Sequence, residues 1–291
     1  MTEKETGMEL HVGRGVTRGG MTVFPLWGGA AGFSGCTTDP KHLDVSECDD
    51  GPDVSTVMVG NTGERPVLVL EGQLFEGGWQ HRMASGSTLV GVRQRVPVEV
   101  ACVEQGRWGG SHRQQSRGRR ATPFVRESVR GAADMQGEVW RRVAMHTRGT
   151  DNVTGSLVRH LDASQAAPDL DAFTILPGQA GVLIGVGGQP YVAEVFDSRS
   201  TLRRQFRSII EGVALDACMA PRVETPGRRA RRFIERFDHV RLGAAGSAGI
   251  AEHLVGRSEY VDASAVRWQD RDLHLRMSNV RHPLLVGGGS L

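Results

Sequence analysis

Lysine is nearly missing from this chain. Of 35 basic residues only Lys4 and Lys41 are lysines, so 33 are arginines. GC-rich codon usage is the plain reading of that bias. It also supplies planar guanidinium forks that match phosphates and carboxylates. The 33 acidic residues leave a net charge of only +2, which disfavours a general nucleic-acid binder. Cysteine is scarce too. Cys36, Cys48, Cys102 and Cys218 form no C-x-x-C pair and have no nearby H-x-x-x-H, so a structural zinc site is not expected. No apolar run reaches the roughly 18 residues of a membrane helix. The opening MTEKETGMEL lacks the hydrophobic stretch of a secretory leader. A cytoplasmic setting is therefore expected, where structural disulfides are rare.

What remains is ample for a core. The chain has 291 residues, 39% of them hydrophobic, enough for one large or two small domains. Residues 1–20 read as a loose arm, 21–28 as a short strand, and the Gly/Thr/Asp/Pro-rich stretch 29–53 as loop. VSTVMVG and RPVLVLEG flank Asn61-Thr62-Gly63-Glu64 and suggest a hairpin. STLVGVR and VPVEVACVE are further strands, with Pro97 marking an edge or a strand start. Residues 106–120 hold five arginines and no acid, and read as an exposed, mobile loop. Thr122 and Pro123 then open a helix expected to run to about Met145. Val125, Val129, Ala132, Gln136, Val139, Trp140 and Val143 line its mostly apolar face. A short helical segment near 154–161 and a loop over 163–180 follow. VLIGV and QPYVAEVF around Gly187-Gly188 signal a second hairpin. Ser198–Ser200 cap a helix whose stripe is Leu202, Phe206, Ile209, Ile210, Val213 and Ala217, and Pro221 stops it. A short amphipathic helix is expected within 222–237. HVRLG, SEYVDA and DLHLRMS are the best strand candidates beyond it. The order of elements implies an α+β fold with largely antiparallel β-sheets and two principal helices.

The unusual chemistry lies between residues 71 and 108. Glu71-Gly72 and Gly77-Gly78 precede Gln80, His81 and Arg82. Cys102 and Glu104 share one face if their strand persists, and Arg107 and Trp108 come just after. The run E-G-x-L-x-x-G-G-x-Q-x-R, followed by P-V-x-V-x-C-V-E-x-G-R-W, resembles the first of the ARPP domain families. These are domains associated with ADP-ribosylglycohydrolase and rhodanese-phosphatase proteins. VFPL, Arg126, Trp140, VFDS and the late Leu-His-Leu agree with it. His81 departs, standing where a small amide is expected. The resemblance implies one domain over 1–291, or two β-rich lobes at about 20–120 and 180–291 joined by the helix at about 122–146. It also implies a link to NAD and ADP-ribose metabolism, and it names no cofactor.

Two readings stand side by side. In the first, the chain is an enzyme acting on an anionic nucleotide-like small molecule. Glu71 and Glu104 are its acid/base or ribose-holding groups, Arg82 and Arg107 grip the anion, Gln80 orients it, and Gly77 and Gly78 approach it by their backbone. Cys102 is a secondary candidate nucleophile, against the inert buried thiol that a strand interior favours. In the second, the same pocket senses a ligand without catalysis, and the arginine-rich surface docks an acidic protein. For each carboxylate and guanidinium the plain alternative is an ion pair with one of the others.

Overall fold

The computed structural model describes residues 9–28, 32, 34–130, 133–164 and 172–286. The chain divides into two compact units. One combines Met1–Ser34 with Ala166–Leu291, and the other is the intervening Gly35–Gln165.

The first unit begins with β1 (His11–Val12), β2 (Val16–Arg18) and β3 (Met21–Trp27). Both short strands pair antiparallel with β3, so the described part of the expected loose arm is ordered sheet. Gly28 has a positive φ of 107°, and a Cβ there would stand 1.9 Å from the Glu9 carbonyl oxygen. The return of β3 past the chain start thus requires glycine.

The second unit holds β4 (Leu43–Ser46), β5 (Thr56–Asn61), β6 (Val67–Val69), β7 (Leu74–Gly77), β8 (Arg82–Ala84), β9 (Thr88–Val90), β10 (Arg95–Cys102) and β11 (Arg113–Gln115). Six of these close a barrel in the order β10-β5-β4-β11-β7-β8, and β6 pairs with β9. Val45, Val57, Val59, Phe75, Ala84, Val98 and Val100 fill its apolar core. Three helices follow: α1 (Pro123–Arg126), α2 (Met135–Thr147) and α3 (Leu157–Ala163).

The chain then returns to the first unit. It forms β12 (Gly181–Val186), β13 (Gln189–Phe196), α4 (Arg199–Ala217), α5 (Gly227–Phe237), β14 (Gly243–Ala248), β15 (Ala251–Arg257), β16 (Val261–Trp268), β17 (Arg271–Asn279) and α6 (Pro283–Val286). The sheet runs β1-β3-β12-β13-β17-β16-β15-β14, with β2 also on β3. Phe233, Ile234 and Phe237 of α5 pack on one face against Leu183, Val195, Leu275 and Met277. No described helix is long and apolar enough to cross a membrane.

The antiparallel α+β architecture matches the sequence pattern, but six α-helices stand among the described residues where two principal helices and two short ones were expected. The Gly187-Gly188 hairpin forms, with φ of 57° and 81° at its two turn residues. Ser198 caps α4 as expected, accepting from the Thr201 N–H.

Four local expectations fail for identifiable reasons. The strands either side of residues 61–64 do not pair: β5 joins β4 and β10, while β6 joins β9. Asn61 redirects the chain, its Nδ2 donating to the carbonyls of Arg65, Val90 and Gly91 and its Oδ1 accepting from Gly63 N–H. The stretch 29–53 contains barrel strand β4, not loop alone. The helix over 122–146 is broken. After α1 and one 3-10 turn, Arg130 is extended, and Asp134 caps a new helix by accepting from Gly137 N–H. Ala132 lies outside the described residues. Trp140, expected in the core, is only partly buried. Lastly, 106–120 is largely exposed as expected, but it contains β11 and its arginines are paired. Arg117 and Arg119 both hold Glu76, Arg113 pairs with Asp44 at 3.3 Å, and the buried Arg120 donates to the Glu71 carbonyl.

Candidate functional site

Strand alternation builds one polar end into an otherwise apolar barrel. Along β4, Leu43 and Val45 face inward, and the next inward position is Glu47. Gln114 is the buried middle residue of β11. Arg82 opens β8 directly opposite Phe75 on one side and Cys102 on the other. Glu47 and Arg82 have no solvent exposure, and Gln114 has little.

Seven of the eight residues singled out in the sequence meet here. Arg107 is the hub. Its Nη2 lies 2.6 Å from a Glu104 carboxylate oxygen, and its Nε donates to the same oxygen at 2.9 Å. Arg107 also donates to the carbonyls of Gly78 (2.7 Å), Gly109 (2.9 Å) and Gly77 (3.2 Å). The other oxygen of Glu104 accepts from Thr154 Oγ1 at 2.9 Å. Gln80 donates to the Glu104 carbonyl and accepts from Arg82 Nη1. The Cys102 thiol donates to that same carbonyl at 3.2 Å. Glu71 stands apart from this network: its carboxylate binds Arg130 at 2.5 Å.

The glycine turn has no free N–H to offer. Gly77 N–H donates to His81 Nδ1, and Gly78 N–H to the Arg113 carbonyl. The glycines are nonetheless required. Gly78 has a φ of 58°, and a Cβ there would fall 2.5 Å from the Gln114 amide nitrogen and 2.7 Å from Glu47 Oε1. His81 thus acts as an acceptor for the turn, a task a small amide could also perform. With Nδ1 accepting, the neutral ring carries its proton on Nε2, 3.6 Å from Glu104.

Protonation follows from these contacts. Burial pushes the Glu104 carboxyl upward, but the Arg107 hydrogen bond, His81 and Thr154 outweigh it, and its pKa is held below the ordinary value. It is a fixed anion at neutral pH. Burial lowers the His81 pKa, with Glu104 only partly opposing, so His81 is neutral there. Burial raises the Cys102 thiol, which keeps it out of the nucleophilic thiolate form.

Of the residues left with unused hydrogen-bonding capacity, the sequence flagged Arg82 but neither Glu47 nor Gln114. Glu47 Oε1 accepts from Trp79 N–H and Gln114 Nε2. Arg82 Nε and Nη2, Glu47 Oε2 and Gln114 Oε1 are buried with no hydrogen-bond partner. Above them, the Arg82 guanidinium carbon lies 5.6 Å from the centre of the Trp108 ring. Trp108 meets Trp79 edge-on at 5.5 Å and is 51% exposed. The available signal for Glu47 was the inward register Leu43-Val45-Glu47, hidden in a stretch whose composition reads as loop.

In the other unit, the late Leu-His-Leu places His274 Nε2 3.0 Å from the buried Glu194 carboxylate, stacked on Phe196.

No curated protein and no solved structure matches the chain. The family described as the ARG and Rhodanese-Phosphatase-superfamily-associated Protein domain, ARPP-1, matches residues 9–278. By that near-complete match the chain belongs to the ARPP-1 family.

Proposed function

We propose that this protein is a ligand-binding module for a nucleotide-like small molecule, received at the polar end of the barrel beneath Trp108. One observation carries the reading. A fully buried arginine keeps two donors without acceptors, where native proteins pair nearly all buried polar groups. The exposed Trp108 beside it offers a face for a planar base. The family description adds an association with ADP-ribosylglycohydrolases and rhodanese-phosphatases, which points toward the chemistry of ADP-ribose without specifying a reaction.

Binding suits the geometry better than acid–base catalysis by Glu71 and Glu104. Both oxygens of Glu104 are engaged and its pKa is low, so it is poorly placed to pass protons at neutral pH. Arg107 is likewise committed to Glu104 and three carbonyls.

Thermal unfolding and tryptophan fluorescence with NAD, ADP-ribose, AMP and inorganic phosphate test this reading, with mass spectrometry of the mixtures. A ligand at 100 times its Kd adds about 2.7 kcal/mol, a rise on the order of 5 °C in Tm. Such a rise, diminished in Trp108→Ala and without product, is the expected result. A flat panel removes the binding reading, and a product peak replaces it with an enzymatic one.

A further inference from the structure

We infer, resting on the reading that the barrel's polar end holds a ligand, that the group received there is a neutral edge with a donor and an acceptor side by side, not a phosphate or carboxylate. A carboxamide presents such an edge, and so does the amino edge of adenine.

The unpaired atoms set the requirement. Arg82 Nε and Nη2 only donate, whereas Glu47 Oε2 and Gln114 Oε1 need a donor. Arg82 Nη2 and Glu47 Oε2 stand 3.7 Å apart, too far for a direct hydrogen bond. They are near enough for adjacent atoms of one planar group to satisfy both. A phosphate supplies acceptors to Arg82 but nothing to Glu47 Oε2 or Gln114 Oε1. It also adds negative charge beside a buried carboxylate, which desolvation makes costly. The guanidinium is already balanced by Glu47, so a neutral partner leaves the end of the barrel electrically even. Gly78 fits the same picture, because its missing side chain lets Glu47 and Gln114 reach their positions.

Two matched pairs of probes separate the sources. NAD and its deamidated analogue, nicotinic acid adenine dinucleotide, differ only in the carboxamide. AMP and purine riboside 5′-monophosphate differ only in the amino group, the donor of the base edge. Isothermal titration of the full chain with these four and with inorganic phosphate is expected to show at least tenfold tighter binding for NAD over its analogue, or for AMP over the deaminated purine nucleotide, and no binding of phosphate. Glu47→Gln, checked for fold by circular dichroism, is expected to erase that preference. If it does not fold, the wild-type comparison decides alone.

Binding of both members of each pair within threefold overturns the inference and leaves the binding module standing. So does phosphate bound as tightly as the nucleotides. Glu47→Gln that folds and keeps the full preference also overturns it. A protein that binds none of the probes defeats both the inference and the proposed function, and leaves the buried groups to ordered water.

Discussion

The side chain of Gln136 completes a two-way hydrogen bond with the backbone of Cys102. Its Oε1 accepts from the Cys102 N–H at 2.8 Å and its Nε2 donates to the Cys102 carbonyl at 2.9 Å. An amide on α2 thus acts as one more strand residue beside β10. Gln136→Ala leaves both backbone groups without that partner, and the expected loss is about 2 kcal/mol. Chemical denaturation checks this. Hydrogen exchange adds a local readout, with faster exchange expected at Cys102 than in the wild type.

Glu104→Gln separates a structural carboxylate from a catalytic one. Its charge holds Arg107, which in turn holds the turn at Gly77 and Gly78. Removing the charge from such a largely buried pair is expected to cost about 3 kcal/mol. A variant as stable as the wild type in urea would refute the structural assignment.

Gly78→Ala tests the close approach at the polar end. The φ of 58° and the contacts with Gln114 and Glu47 predict a loss on the order of 2 kcal/mol. They also predict weaker ligand binding, because both contacted side chains must shift. Gly86→Ala, where a Cβ meets nothing within 4 Å, serves as the control and is expected to be near neutral.

Acid sensitivity follows from histidines buried in the neutral form. Burial lowers the pKa of His81, His160 and His282, with His146 adding to the effect at His160 and the Val186 carbonyl opposing it at His282. Below about pH 6.5 the unfolded chain takes up protons that these sites resist. Stability is therefore fully present above that pH and falls as the pH drops through it. Tm is expected to decline between pH 7.5 and 5.5. His282→Gln should flatten the slope, and an unchanged slope would clear His282 of a part in it.

Local signals were legible in the sequence and long-range closure was not. Gly187-Gly188 demands positive φ wherever it sits, and Ser198 caps whatever helix follows, so both elements could be read from neighbouring residues. The dense stretch 71–108 does assemble, since β7, β8 and β10 are antiparallel neighbours. Glu71 falls away from it because Arg130, remote in sequence, claims its carboxylate. Glu47 and Gln114 were invisible for a different reason. Each becomes part of the site only when β4 and β11 close the barrel, and β4 is four residues long within a stretch composed like a loop. The arginines at 107–120 were read by charge alone. Their partners Asp44, Glu76 and Glu104 belong to other strands or their ends, so the segment is exposed as expected yet pinned by ion pairs that its own composition does not show.

The barrel strands interrupt, along the chain, the strands of the first unit's sheet, and this has a consequence during synthesis. Leu26 of β3 pairs across to Gly181 of β12, yet every barrel strand is translated between them. Strands β4 to β11 are contiguous, so the barrel can close while the ribosome is still working. The buried segment MTVFPLW must meanwhile wait for its neighbour with Phe24 and Leu26 uncovered. That waiting interval is set by the order of segments along the chain and not by final stability, and apolar surface uncovered in such an interval favours misassociation.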